Sequence, residues 1–118
     1  MSKLFLLVVT MSWSIIASAQ GIDFFHGSYE EALKKARSEN KGIFVDVYTS
    51  WCGPCKKMAR EVFTQAGVGD YFNTHFVCLK LDAEKDKEHP FLQHFKATAF
   101  PAFFWLNGEG EYWVMHDG

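Results

Sequence analysis

The sequence predicts one α/β domain built on a central mixed sheet with helices on both faces. Its length of 118 residues suits a single domain. Segments with helical spacing alternate with short apolar runs, and such alternation requires crossover connections and a partly parallel sheet. An Asn-Gly turn within 107–110 separates the last two apolar runs, which predicts a terminal antiparallel hairpin.

Each element follows from a local signal. Strands are predicted where apolar residues run together between polar or glycine-containing segments, and these runs are 43–48, 76–81, 102–106 and 112–115, with a short edge strand at 22–25. Helices are predicted at 28–39, 55–62, 65–73 and 89–96. Ser28 and Glu31 form a capping box for the first helix, and Pro54 suits the start of the second because a missing N–H does no harm there.

The first 19 residues predict a secretory signal peptide. Lys3 supplies a positive region, the run 4–9 an apolar core, and Ala17-Ser18-Ala19 a small-x-small cleavage site. An uncleaved anchor is the alternative, but polar residues leave the apolar run short for a span of about 20 residues. We therefore expect export, to the periplasm in a bacterium. Residues 1–19 are then the signal peptide, and residues 20–118 are the mature domain, not embedded in the membrane after cleavage.

The composition excludes two classes of protein. Hydrophobic residues make up 48% of the chain and aromatic residues 17%, which is enough for a packed core and argues against disorder. The formal net charge of −2 provides no basic patch, so nucleic acid is not an expected partner. The composition is that of an ordinary folded domain.

The cysteine pair Cys52 and Cys55 is the candidate redox-active site. It stands where a predicted strand gives way to a helix, and backbone N–H groups at a helix start can stabilise a thiolate and lower its pKa. We expect Cys52 to attack an external disulfide, and Cys55, one turn deeper and less exposed, to resolve the mixed disulfide. Gly53 and Pro54 fix the intervening loop without crowding an approaching chain.

Two other roles are open to this pair. A zinc site would need further ligands from His89, His94 or Cys78, and the two histidines are spaced poorly for one helix face. A purely structural disulfide that closes so small a ring would add little stability. The redox interpretation needs neither a metal nor an organic cofactor, and we expect none.

Several segments resemble thioredoxin. They are WCGPCK at 51–56 after an apolar strand that carries an acid, KLDAEKD from Lys80, and FKATAFPAFFWLNGEGE from Phe95. The resemblance extends from about Ile43 to Gly110. The stretch EVF…YFNTHFVCLKLDAE is similar to periplasmic thioredoxin-like proteins, including the reducing C-terminal domain of transmembrane thiol:disulfide interchange proteins.

The resemblance implies a thioredoxin fold and roles for Asp46 and Lys80. The matching acid lies beneath the cysteines and helps to move the proton of the resolving thiol, and the matching lysine lies near it. Burial among apolar neighbours should raise the pKa of Asp46. A buried ion pair kept only for structure is the alternative.

The resemblance also implies a substrate site. It predicts a cis bond between Phe100 and Pro101, packed beside the cysteines, where the preceding backbone can pair with an extended substrate. Trp51 is expected to shield the thiolate and to offer an apolar surface. Phe100 and Ala102 depart from the commoner aliphatic-Pro-Thr pattern, which bears on substrate preference.

Two further expectations concern the rest of the chain. Cys78, in a predicted strand, is expected to be a buried, inert thiol. Thioredoxins place a further helix after the final hairpin, so the domain is expected to be C-terminally incomplete, with that helix missing.

Taken together, these residues predict an exported thiol–disulfide oxidoreductase that reduces protein disulfides and contributes to redox homeostasis, with a membrane electron donor as its recharging partner. The same chemistry run as an oxidase or isomerase is one alternative. A non-catalytic binding module with the same fold is the other.

Overall fold

The computed structural model describes residues 20–117. Its elements in chain order are α1 (Tyr29–Glu39), β1 (Gly42–Tyr48), α2 (Gly53–Glu61), α3 (Ala66–His75), β2 (Phe76–Asp82), α4 (Pro90–His94), β3 (Ala102–Leu106) and β4 (Tyr112–Asp117). Each predicted helix and strand from residue 28 onward is present. The predicted signal peptide and its cleavage site lie outside the described residues.

The four strands form one mixed sheet in the order β2-β1-β3-β4. β1 runs parallel to β2 and antiparallel to β3, and β3 and β4 form the predicted terminal hairpin. The connection from β1 to β2 passes through α2 and α3, which is the crossover that a parallel pair requires. The mixed sheet predicted from the sequence is thus confirmed.

The expected edge strand at 22–25 is the one element that the structure corrects. Phe24 makes a single parallel bridge to Cys78, and the Phe25 N–H donates to the Cys78 carbonyl at 2.7 Å. The Ile22 N–H instead donates to the carbonyl of Phe63, at the end of the α2 region. Because the Ile22 N–H bonds outside the sheet, the bridge at Phe24 is not extended into a strand within the described residues.

Alternation along β1 divides the core between the two faces of the sheet. Ile43, Val45 and Val47 belong to the larger cluster, which includes Ala32 and Ala36 of α1 and Phe91 of α4. The intervening residue Phe44 belongs to an aromatic cluster with Phe63, Cys78, and partly buried residues of α2 and α3. Helices therefore cover both faces, and α2 lies on the aromatic face.

Local chemistry sets the ends of α1. The Ser28 Oγ accepts from the Glu31 N–H at 3.1 Å, and the Glu31 carboxylate accepts from the Ser28 N–H at 3.3 Å. This confirms the capping box. Asn40 ends the helix with a φ of 53°, in the left-handed region that asparagine tolerates better than most residues.

The start of the described chain packs against α3 through glycine. A Cβ added at Gly69 would lie within 2.5 Å of the backbone of Gly21, so only glycine permits this approach. A Cβ added at Gly67, one half-turn away, would meet nothing within 4 Å.

β4 is the outer strand of the sheet within residues 20–117. Three of its large apolar side chains are half exposed or more, namely Tyr112 at 50%, Trp113 at 58% and Val114 at 53%, whereas Met115 is partly buried against the core. In the same part of the chain, no helix is long and apolar enough to cross a membrane.

Candidate functional site

The site is built where β1 ends and α2 begins. Cys52 is the N-cap of α2, and its Sγ accepts a hydrogen bond from the Cys55 N–H at 3.1 Å. The two cysteines form a disulfide, with their Cα atoms 5.3 Å apart. Pro54 occupies the first turn of α2, as predicted. Cys52 therefore sits at the positive end of the helix dipole, where a thiolate is stabilised once the disulfide opens.

Both sulfurs are buried in the disulfide form. Cys52 is 3% exposed and Cys55 is 7% exposed, so the expectation that Cys55 is the less exposed of the two is wrong for this form. The reason is local: the Cys52 sulfur turns inward, both to bond with Cys55 and to accept its N–H. The loop between them is open, because Gly53 and Pro54 are exposed.

Trp51 projects beside the disulfide. Its side chain is 67% exposed, and its indole N–H donates to the Glu84 carboxylate. Its ring meets that of Phe100 edge to face, with centroids 6.1 Å apart. The predicted cis bond between Phe100 and Pro101 is present, and Pro101 is buried. The contact between the Trp51 and Phe100 rings therefore places the loop before β3 against the cysteine loop.

Glu84 is a site residue that sequence reasoning missed. It lies in the loop after β2, and this loop is ordered by Asp82, whose Oδ1 accepts from the N–H groups of Glu84 and Lys85 at 2.9 and 3.1 Å. The signal in the sequence is a short stretch of acidic and basic residues directly after a buried strand, a composition that is typical of a solvated loop. Asp82 is in fact 3% exposed and organises that loop.

Asp46 is a buried acid on the α2 side of the sheet. It is 3% exposed, and its Oδ1 has no hydrogen-bond partner among the described protein groups. Burial raises its pKa to about 6, and the positive charge of Lys80 opposes that rise. The elevated pKa predicted from the sequence is confirmed.

Lys80 stands beside Asp46 in the register of β1 and β2, yet the two form no ion pair in the described structure. The Lys80 Nζ lies 4.9 Å from the centroid of the Tyr48 ring and 5.6 Å from that of Phe24. The alternative of a structural ion pair is therefore not realised, and Lys80 acts on Asp46 through its field alone.

Thr49 is a second residue that sequence reasoning missed. It follows β1 directly, is 1% exposed, and its Oγ1 has no hydrogen-bond partner among the described protein groups. A cavity of about 110 Å³ lies beside it, lined by Tyr48, Thr49, Ser50, Cys55, Lys56, Ala59 and Lys80. Cys55 and Lys80, which are distant in sequence, thus line the same small cavity.

The remaining candidates have structural explanations. Cys78 is a free, buried thiol whose pKa burial raises to about 12, which agrees with an inert side chain. The Nδ1 of His89 accepts from the Phe91 N–H at 3.2 Å and so caps α4. Across residues 20–117, no three His, Cys, Asp or Glu side chains come together as a group that could hold a metal ion.

A mixed sheet with helices on both faces and a cysteine pair at the start of a helix define a protein of the thioredoxin fold. The family model Thioredox_DsbH, described as "Protein of unknown function, DUF255", matches residues 13–113. The chain therefore belongs to this family, within the thioredoxin superfamily.

Individual relatives agree with this assignment. Thioredoxin-1 of Drosophila yakuba is 33% identical over 91 residues, which cover 77% of this chain and 75% of the relative. Spermatogenesis-associated protein 20 of Mus musculus is 34% identical over 65% of this chain, but the match spans only 10% of the mouse protein. A solved structure from Bacteroides thetaiotaomicron, described as a putative disulphide-isomerase, superposes with a TM-score of 0.73 at 43% identity, covering 86% of this chain and 84% of that one.

Proposed function

We propose that this protein reduces disulfides in other proteins through a cycle of the Cys52–Cys55 pair. The observation that carries the proposal is the disulfide itself, with Cys52 as the N-cap of α2. In the reduced form, the Cys52 thiolate attacks one sulfur of a substrate disulfide. The substrate bond breaks, and the second substrate sulfur leaves with the electron pair and takes a proton.

Cys55 completes the cycle. Its thiol loses its proton, and the thiolate attacks the Cys52 sulfur of the mixed disulfide. The bond to the substrate breaks, the substrate leaves as a thiol after taking a proton, and Cys52–Cys55 is oxidised. Two electrons have then passed from the pair to the substrate. Asp46 is the proposed acceptor of the Cys55 proton, because a carboxyl group with a pKa of about 6 is largely ionised at neutral pH. Lys80 holds it ionised by adding positive charge nearby.

The surface around Trp51 fits a peptide substrate. The exposed Trp51 ring and the partly buried Phe100 ring form an apolar surface, and Glu84 holds the indole through a hydrogen bond. An extended substrate can pair with the backbone before Pro101 as an added strand. Gly53 leaves room for this approach, since a Cβ there would meet nothing within 4 Å.

Reduction of insulin by the protein, with dithiothreitol as the electron source, tests the activity. We expect turnover by the mature chain and none by Cys52→Ser. Reduced Cys55→Ser, mixed with insulin after dithiothreitol has been removed, should form a stable mixed disulfide, because Cys52 can still attack but no second thiol resolves the product. Cys78→Ala is the matched control, since it removes the cysteine outside the pair. Turnover that survives Cys52→Ser would show that the pair is not the redox centre. A parent chain that never reduces insulin, yet binds a partner equally well with and without Cys52→Ser, would favour a binding module.

Oxidation or isomerisation of protein disulfides by the same pair is the second candidate, and the description of the Bacteroides relative as a putative disulphide-isomerase favours isomerisation. Equilibration of the pair with glutathione distinguishes the two. A potential near about −270 mV, typical of thioredoxin, supports a reductase, whereas one near about −180 mV, typical of protein disulfide isomerase, supports an isomerase. We propose the reductase because Gly-Pro separates the two cysteines, as in the reducing proteins that the segment resembles.

Export is also part of the proposal, and the sequence of residues 1–19 supports it. Expression of the full chain in a bacterium, followed by cell fractionation and N-terminal sequencing, should recover a periplasmic protein that begins at Gln20. Recovery of the uncleaved chain in the cytosol would contradict export. An exported reductant needs an electron source across the membrane, and a membrane-bound thiol donor is the proposed partner.

A further inference from the structure

The cavity beside Cys55 contains a buried hydroxyl that the cycle above leaves unused. Thr49 is 1% exposed, and its Oγ1 has no partner among the described protein groups. A buried polar group without a partner costs stability, so such a group calls for an explanation. Thr49 and Cys55 line the same space of about 110 Å³.

The other hydroxyls of the cavity are placed differently. Ser50 is exposed and Tyr48 is partly exposed, so both can be satisfied by solvent. Thr49 is the buried hydroxyl of the three, with a proton to donate and no described acceptor. In the disulfide, the Cys55 sulfur carries no charge. Once the disulfide opens, a thiolate at that buried position needs a donor, since desolvation otherwise raises its pKa.

We propose that Thr49 is a positioning residue for the resolving step, and that its hydroxyl donates a hydrogen bond to the Cys55 thiolate across this cavity. The inference rests on the proposed function. In the mixed disulfide, the Cys55 proton passes to the Asp46 carboxylate, and the thiolate left behind accepts from the Thr49 hydroxyl. The thiolate then attacks the Cys52 sulfur, and the substrate sulfur leaves with the electron pair and takes a proton from water.

Other charges act on the same thiolate and must be held constant. The titratable groups that line the cavity are Tyr48 from β1, Lys80 from β2 and Lys56 from α2, and Asp46 lies on the same face of β1. Substitutions at Thr49 leave all four in place. A change in the behaviour of Cys55 between Thr49 variants therefore reports the hydroxyl or its packing.

The experiment measures the pKa of Cys55 in a Cys52→Ser background, in which no disulfide can form within the pair. The rate of alkylation by iodoacetamide is followed against pH, and peptide mass spectrometry separates Cys55 from Cys78. Thr49→Val keeps the shape and removes the hydroxyl, whereas Thr49→Ser keeps the hydroxyl. Thr74→Val removes an exposed hydroxyl from α3 as the matched control.

We expect Thr49→Val to raise the pKa of Cys55 by about one unit, a roughly tenfold fall in thiolate at neutral pH. Thr49→Ser should keep the parent value, and so should Thr74→Val. In the chain with both active cysteines, Thr49→Val should slow release of the substrate from the mixed disulfide by the same factor and leave formation of that disulfide unchanged.

Two results would overturn the inference. One is an unchanged Cys55 pKa in a Thr49→Val protein that unfolds cooperatively on heating. The other is an equal rise in both Thr49 variants, which would assign the effect to packing. Failure of the proposed function looks different: the parent chain would not reduce insulin at all, whereas the Cys55 pKa comparison would still give its own answer.

Discussion

Ionised Asp46 should destabilise the folded protein, and replacing it with asparagine should remove that cost. The pKa of an unfolded aspartate is about 3.9, whereas burial raises that of Asp46 to about 6. One pKa unit corresponds to about 1.36 kcal/mol, so ionisation costs the folded state about 3 kcal/mol at neutral pH. The folded state holds the Asp46 proton more tightly than the unfolded chain does, so the protonated carboxyl contributes to the free energy of unfolding. This contribution is fully present below the unfolded pKa and is lost as the pH rises through about 6.

The assay is urea unfolding of the disulfide form of the parent and of Asp46→Asn, across a range of pH. The difference in unfolding free energy between the two proteins should grow by about 2.5 kcal/mol from about pH 4 to about pH 8, in favour of Asp46→Asn. Other carboxyl groups act equally on both proteins and cancel in this difference. Asp70→Asn, which removes an exposed carboxylate from α3, is the control. A difference that stays constant with pH would refute the reasoning, because it would show that Asp46 titrates alike in the folded and unfolded chain.

Four further predictions concern features outside the Cys52–Cys55 pair. Ser28→Ala removes the capping box of α1 and should lower the unfolding free energy by about 1 kcal/mol in denaturant unfolding; an unchanged value would mean that water replaces the cap fully. Gly67→Ala should stabilise α3 by up to about 1 kcal/mol in the same assay, since its added Cβ meets open space. Gly69→Ala should destabilise the protein, since its Cβ would collide with the backbone of residues 20 and 21; equal effects of these two alanines would disprove the close approach. The Cys78 thiol, with its pKa raised to about 12, should resist iodoacetamide at about pH 8 until the chain unfolds, and rapid alkylation of the native protein would contradict its burial.

The fold was predictable because its signals are local. The capping box of α1, the apolar runs of β1 and β2, and the turn before β4 each fix an element within a few residues, and the alternation of elements then limits the topology. The segment at 22–25 was wrongly predicted to be a strand, because an apolar run does not show which element will accept the hydrogen bonds of its backbone N–H groups. Ile22 bonds to Phe63 and Phe25 to Cys78, and only the folded chain brings those carbonyls there.

The site was predictable where its residues are contiguous or carry a recognisable motif. Cys52, Cys55 and Trp51 lie in one segment, and a proline before a strand identified Pro101. Thr49 and Glu84 were missed because nothing in their neighbours indicates burial or a partner across the site. The position of Thr49 beside Cys55 depends on a cavity that three elements line together. The role of Glu84 depends on its hydrogen bond with an indole 33 residues away. Likewise, the pairing register of β1 and β2 places Lys80 beside Asp46. The contact of the Lys80 side chain with the Tyr48 ring depends on side-chain rotamers, which the sequence pattern does not specify.

The outer strand β4 influences the tendency of the protein to self-associate in concentrated solution. Within residues 20–117, no strand pairs with the outer side of β4, and an outer strand with half-exposed Tyr112, Trp113 and Val114 is a template on which another chain can add. Concentrated samples of residues 20–117 are thus expected to self-associate through strand addition, with a rate that rises with protein concentration. A charge at the middle of the strand blocks such addition most directly, so Val114→Lys should extend the monodisperse range in light scattering and leave the distant cysteine pair untouched.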